Sequence, residues 1–171
     1  MSEPVATGVR VREATREDVA AVVDGVEALL LELGGRRPDR AALEAEVTAL
    51  LDDPAVGVLL VAEAEQDPNA VVPGMRGQLR TVGVLAASWG RAIHVPGRYL
   101  TIQDLWTDPD WRSRGVGADL VEAVAAAARA AGVSRIEVGL PRETFAAIAA
   151  TRGFYERNGF EQLGPRMRRL L

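Results

Sequence analysis

The stretch Arg112-Ser113-Arg114-Gly115-Val116-Gly117 constrains this chain more than any other. It is a basic, glycine-punctuated turn between an apolar strand, Leu100–Trp106, and a long apolar-periodic helix expected over Val116–Ala131. A strand–turn–helix corner of this kind presents orphan backbone N–H groups and the positive end of a helix dipole, which together favour an anion such as a diphosphate. Gly115 and Gly117 let the backbone approach that anion, and Arg112 and Arg114 can add charge-assisted contacts. The natural occupant is a phosphate-bearing cofactor.

The residues exclude some cofactors. A P-loop requires Gly-Lys-Ser/Thr, and every one of the 20 cationic side chains here is arginine, so a Walker-type nucleotide site is ruled out. The dinucleotide fingerprint G-x-G-x-x-G is matched at Gly115 and Gly117, and Glu137 falls near the ribose-binding position. Leu120 occupies the place of the third glycine, however. The turn Thr107–Arg114 is also too long for that corner and arrives late in the chain.

The flanking residues carry a more specific match. Asp-Leu-Trp-Thr-Asp-Pro (Asp104–Pro109) followed by Arg-x-x-Gly-x-Gly (Arg112–Gly117) resembles the central motif of the GNAT superfamily of acyl-CoA N-acyltransferases. Gly153-Phe154-Tyr155-Glu156-Arg157-Asn158-Gly159-Phe160 resembles that family's C-terminal motif, in which a helix delivers a tyrosine ahead of Asn-Gly-Phe. The resemblance is strong from about Leu100 to Phe160 and generic before that.

It implies one domain over residues 1–171: a three-layer α/β/α sandwich with a mixed, mainly antiparallel sheet in the order β-α-α-β-β-β-α-β-α-β-β. The pattern along the chain agrees. Val9–Arg12 reads as a strand. Thr15-x-x-Asp18 forms a capping box ahead of a helix with Val19, Val22, Val23, Val26, Leu29, Leu30 and Leu33 on one face, ended by Gly34-Gly35. A shorter helix follows Asp39, with Leu43, Val47, Leu50 and Leu51 as its apolar face. Val56–Glu63, Thr81–Trp89 and Arg135–Leu140 read as strands, Gln66–Arg80 and Gly90–Arg98 as loops, and Thr144–Asn158 as a helix. Phe160–Leu163 and Met167–Leu171 are expected as closing strands.

The resemblance also assigns roles. It implies acetyl-CoA as cosubstrate, with the thioester beside Leu100–Trp106 and the backbone amides near Leu105 and Trp106 facing its carbonyl. The diphosphate would lie against Thr107, Arg112, Ser113, Arg114, Gly115, Val116, Gly117 and Ala118. Tyr155 matches the position of the general acid that protonates the coenzyme sulfur. Its plainer reading is an amphipathic core tyrosine beside Phe154 and Phe160.

An alkylamine acceptor with a pKa near 10.4 is almost wholly protonated at pH 7, so supplying its free base costs on the order of 4–5 kcal/mol, whereas a thiolate leaves readily. A base is the larger demand. Asp104, a carboxylate in an apolar strand, is its first candidate, and an ion-paired structural role is the alternative. Glu143 and Glu13 stand in reserve.

The chain also departs from the family pattern. Gln103 stands where a glutamate is frequent and would orient the acceptor rather than take its proton. Ile148 and Thr151 replace an asparagine and an alanine of the C-terminal motif, leaving Arg152 and Arg157 as substitute phosphate contacts or as a solvated face. Asp108 and Asp110 are expected as caps or solvated charges.

The expected activity is therefore N-acetyl transfer to a primary amine of a small molecule, amino acid or peptide by direct attack. The alternative is a non-catalytic acyl-CoA-binding regulatory domain, or a domain that kept the fold and lost the cofactor. Arg36, Arg37, Arg91 and Arg98 hint at a carboxylate-bearing acceptor.

With no cysteine and a single histidine, His94, a familiar zinc site is not expected, and no metal is. A net charge of −4 argues against a nucleic-acid surface. No apolar run reaches membrane-spanning length, so no membrane partner and a cytoplasmic location are expected. The family makes a homodimer plausible.

Overall fold

The computed structural model describes residues 8–65, 79–164, 167 and 169. Its elements are β1 (Val9–Glu13), α1 (Val19–Glu32), α2 (Arg40–Asp52), β2 (Gly57–Glu65), β3 (Leu79–Ala92), β4 (Val95–Thr107), α3 (Val116–Ala130), β5 (Ile136–Val138) and α4 (Ile148–Arg157). Single 3-10 turns lie at Arg16–Asp18 and Pro109–Trp111. The sheet order is β1-β2-β3-β4-β5. The first three pairings are antiparallel and β4–β5 is parallel, so the sheet is mixed and mainly antiparallel.

Side-chain alternation along β2 builds the three layers. Leu59 and Val61 point to one face and pack with Val22, Val26, Val47 and Leu50 of α1 and α2. Leu60, Ala62 and Ala64 point to the other and pack with Val116, Leu120, Val121 and Val124 of α3. Leu85, Leu100 and Leu120 are fully buried, and each contributes about 1.5–3 kcal/mol of transfer free energy. A Cβ on Gly25 in α1 would lie 2.8 Å from Trp106 Cε3, so the missing side chain seats the β4 indole against α1.

The start of α1 is tied to the sheet by charge. Thr15 N–H donates to Asp18 Oδ2 (2.7 Å), completing the expected side-chain-to-backbone half of the cap. Arg12 of β1 donates to both Asp18 oxygens, at 2.7 and 2.9 Å, and also to Glu63 of β2. Asp18 and Glu63 are both buried, so one guanidinium bridges two carboxylates between three elements and offsets part of their charge. That hydrogen-bonded cation holds the Asp18 carboxyl below its usual range and outweighs the opposing effect of burial.

Several boundaries differ from the sequence expectation. Gly90–Arg98 is not a loop: β3 and β4 continue through it and turn only at Ile93-His94. Gly90 pairs with Tyr99, and a Cβ there would sit 2.7 Å from the Tyr99 ring, so this glycine makes room for a cross-strand aromatic instead of ending a strand. β5 is confined to Ile136–Val138, because only Leu100–Ile102 of β4 pair with it. α4 begins at Ile148, after turns in which Phe145 N–H donates to Arg142 O and Ile148 N–H to Phe145 O. Phe160–Leu163 is not a strand, and Met167–Leu171 lies largely outside the described residues.

Candidate active site

The site is built on a dislocation in β4. Ala86 pairs with Asp104 and Ala87 with Ile102, so Gln103 is the extra residue of a β-bulge. The bulge reverses the alternation. Ile102 and Leu105 both face the α3 core, while Trp106 faces the α1–α2 side. Asp104 shares that side with its partner Ala86, which packs against the α1–α2 core.

Beyond Ile102, β4 has no β5 partner. Asp108 N–H donates to Val82 O (2.9 Å), and ladder alternation therefore turns the Trp106 and Asp104 amides toward β3. The amides of Leu105 and Thr107 face the open side. Of the two donors expected at the thioester carbonyl, this register leaves Leu105's amide free, whereas Trp106's belongs to the ladder and its indole to α1.

In the turn that follows, Ser113 has φ 60° and Gly115 φ 89°, left-handed values of the kind found in backbone anion nests, directly ahead of α3. Ser113 is the single positive-φ residue other than glycine among those described, a strained conformation of the kind concentrated at ligand sites. Gly115 caps α3 and accepts from Asp119 N–H at 2.9 Å. Val116 is buried and Ala118 half-buried, so both offer the turn chiefly their amides. A Cβ on Gly117 would lie 3.2 Å from the Phe154 ring and 3.6 Å from Thr107 Oγ1, which brings α4 and the end of β4 against the first turn of α3. The donors the turn offers, backbone amides ahead of a helix N-terminus, are of the kind a diphosphate accepts from.

The two arginines of the turn are engaged elsewhere. Arg112 forms a bidentate pair with Glu32 at the end of α1, Nη1 to Oε1 at 3.0 Å and Nη2 to Oε2 at 2.6 Å, and its Nε donates to Thr107 O at 3.3 Å. Arg114 lies over the Trp111 ring, 5.0 Å from its centroid. Sequence reasoning missed the Glu32 partner, which stands 80 positions away.

Asp104 is half-buried, and the burial it has pushes its carboxyl above the usual range. It forms no ion pair among the described residues. Beside it, Gln103 is exposed and its Nε2 donates to Ser88 Oγ (2.7 Å). Tyr155 lies in α4 with ring centroids 5.1 Å from Phe154 and 5.3 Å from Phe160, both edge-on, and burial pushes its hydroxyl up to about 12. It stays protonated through the neutral range, the state a proton donor requires. Phe154 and Phe160, which flank Tyr155, pack on the α3 core, the sheet face opposite the one Asp104 shares with Ala86.

The remaining candidates are accounted for. Asp108 is buried, accepts from Asp110 N–H (2.9 Å) and pairs with Arg80, a structural cap. Glu143 is exposed and paired with Arg152 at 2.9 Å. Arg98 stacks 4.6 Å over Trp89 and donates to Ala55 O, so it is not an idle charge. His94 is exposed at the β3–β4 turn. Among the described residues no cluster of three or more His, Asp or Glu could hold a metal, and no helix is long and apolar enough to cross a membrane. A groove of about 1350 Å³ between α3, β5 and the end of α4 is lined by Val121, Val138, Arg152, Tyr155 and Phe160. It shares Tyr155 with the site but none of the phosphate turn.

Comparison with known proteins agrees with this geometry. The model of the acetyltransferase (GNAT) domain matches residues 55–162, well over half of the chain. Three solved structures share the fold. One, from Arthrobacter sp. FB24 and assigned as an acetyltransferase, is 22% identical over 100% of this chain and 99% of its own, with a TM-score of 0.72. Another, from Clostridium acetobutylicum, assigned likewise and solved with acetyl-CoA, is 16% identical over 95% and 96%, at 0.69. A transcriptional regulator from Bacillus halodurans C-125 is 20% identical over 95% and 99%, at 0.73. A search of curated proteins returned no match. The chain belongs to the GNAT acetyltransferase domain family.

Proposed function

We propose that this protein transfers the acetyl group of acetyl-CoA to a primary amine of a small molecule, amino acid or peptide by direct attack. The observation that carries this is the bulge at Gln103. It lies where β4, still paired with β3, runs on past the end of β5, so one edge of β4 is open from Gln103 toward the turn at Ser113–Ala118. The bound thioester supplies an activated acyl carbon. The turn holds its diphosphate, and the Leu105 amide stabilises the oxyanion. Asp104 takes the proton of the attacking amine as the N–C bond forms. Tyr155 gives its proton to the departing sulfur as the C–S bond breaks, and Gln103 orients the acceptor. With Asp104 and the phenylalanines flanking Tyr155 on opposite faces, acceptor and coenzyme enter from opposite sides and meet at the edge.

Calorimetry with coenzyme A tests the turn. Aspartate tolerates the left-handed conformation, so Ser113→Asp should fold normally while setting a negative charge among the diphosphate donors. Affinity should fall by about tenfold or more, equivalent to ~1.4 kcal/mol. Unchanged affinity removes the diphosphate from this turn.

Turnover on amine pools with labelled acetyl-CoA tests the chemistry. Binding without transfer to any amine would favour a regulatory acyl-CoA-binding domain. Tyr155→Phe retains the ring and its edge contacts with Phe154 and Phe160. It should lower turnover by roughly 10–100-fold, the lower part of the range for a general acid because a thiolate leaves easily, with coenzyme affinity nearly intact. Turnover within twofold of wild type would make Tyr155 a core residue.

A further inference from the structure

We propose that Arg112 is a positioning residue and not a phosphate ligand: its pair with Glu32 locks the coenzyme turn to the last turn of α1, holding the coenzyme and acceptor sides of the site as one unit. This rests on the acetyl-CoA reading for what the turn binds, but not for the lock itself. Three of the five guanidinium donors are spent, two on Glu32 and one on Thr107 O, so a single side chain joins the end of β4, the turn and α1. The fork is fully matched by the carboxylate and its charge is cancelled.

Both partners are partly exposed, with side-chain exposures of 44% and 36%, so the pair adds little to global stability. Its effect is local. Ser113, the next residue, holds φ 60°, a conformation that persists only where its surroundings over-determine it. The Arg112 clamp on one side and the Arg114–Trp111 stack on the other supply that constraint. Glu32 is the last residue of α1, followed by the cap residue Leu33, Gly34 (φ 74°) and the connection bearing Arg36 and Arg37. Disorder on either side of the pair therefore reaches the other.

Arg112→Gln, Arg112→Lys, Glu32→Gln and the double glutamine variant separate a clamp from a ligand. A clamp predicts that each single variant weakens coenzyme A binding by about three- to tenfold in calorimetry and that the double variant is no worse than either. Lysine should fail like glutamine, because it keeps the charge and loses the fork. The acceptor KM should rise in Glu32→Gln, while thermal stability moves little. A phosphate ligand predicts the reverse: Arg112→Lys retains affinity, and Glu32→Gln binds as tightly as wild type or tighter.

Hydrogen exchange at the amides of residues 113–118 in the free protein supplies a readout independent of coenzyme. Faster exchange in Glu32→Gln is expected. Unchanged exchange overturns the clamp even if the protein binds coenzyme A, and failure of wild type to bind coenzyme A overturns the acetyl-CoA reading without touching the clamp.

Discussion

Arg12→Leu should destabilise the fold by about 3 kcal/mol at pH 7, the low end for breaking a buried ion pair because Arg12 itself retains 26% side-chain exposure. The loss comes from what remains. Asp18 and Glu63 stay buried, with side-chain exposures of 9% and 11%, and the cation that paired with both is gone. Leucine covers the same apolar surface as the arginine stem, so packing alone does not explain a large deficit.

The pH dependence identifies the cause. In the wild type, Asp18 sits below its usual pKa, so its contribution is present above about pH 4 and fades as acid protonates it. In the variant the unpaired Asp18 carboxylate loses the cation that held its pKa down, so the deficit should shrink as pH falls from 7 toward 4. Urea denaturation at the two pH values measures it. A deficit under about 1 kcal/mol, or one that does not change with pH, would reduce the triad to a surface network.

That triad was not legible in the sequence, and the reason is physical. Arg12, Asp18 and Glu63 look like ordinary surface charges in their own segments, and only the β1–β2 register sets Arg12 diagonally across from Glu63. The same holds for Glu32 and Arg112. Local signals were read more surely. The capping segment at Thr15–Asp18, the apolar stripe of α1 and the glycine turn before α3 each depend on residues a few positions apart, and each formed close to where the pattern put it.

Gly90 misled because a glycine in a strand means either a break or a close approach, and Tyr99 across the ladder decides which. The bulge at Gln103 was hidden for a similar reason. Asp104 stood out as a carboxylate among apolar residues, but only pairing with β3 shows that the strand shifts register there and puts Ile102 and Leu105, three residues apart, on one face. The motif residues could be read from the sequence. The edge that unites them could not.

Asp104→Asn should produce the largest functional effect, a fall in turnover at pH 7 of about 10²–10⁴-fold, the range for removing a general base. The change is nearly isosteric and keeps hydrogen-bonding capacity. It should also stabilise the protein. Burial raises the Asp104 pKa, so the folded state holds a proton more tightly than the unfolded chain, and wild-type stability falls as pH rises from about 4 through the folded pKa. Asparagine removes that cost, and the variant's advantage in thermal denaturation should be greater at pH 7 than at pH 4.

Slower turnover with a higher melting temperature is the pattern of a group kept for function against stability. The shape of the pH–rate profile then fixes the role. Each added pH unit supplies about ten times more free amine until the acceptor's own pKa near 10 is reached, so the variant should recover steeply where wild type has levelled off. Glu143 and Glu13 cannot easily stand in, since Glu143 is exposed and bound to Arg152 and Glu13 is exposed on β1. A variant profile parallel to wild type across this range would acquit Asp104 of proton transfer and return it to a purely positional role beside Gln103.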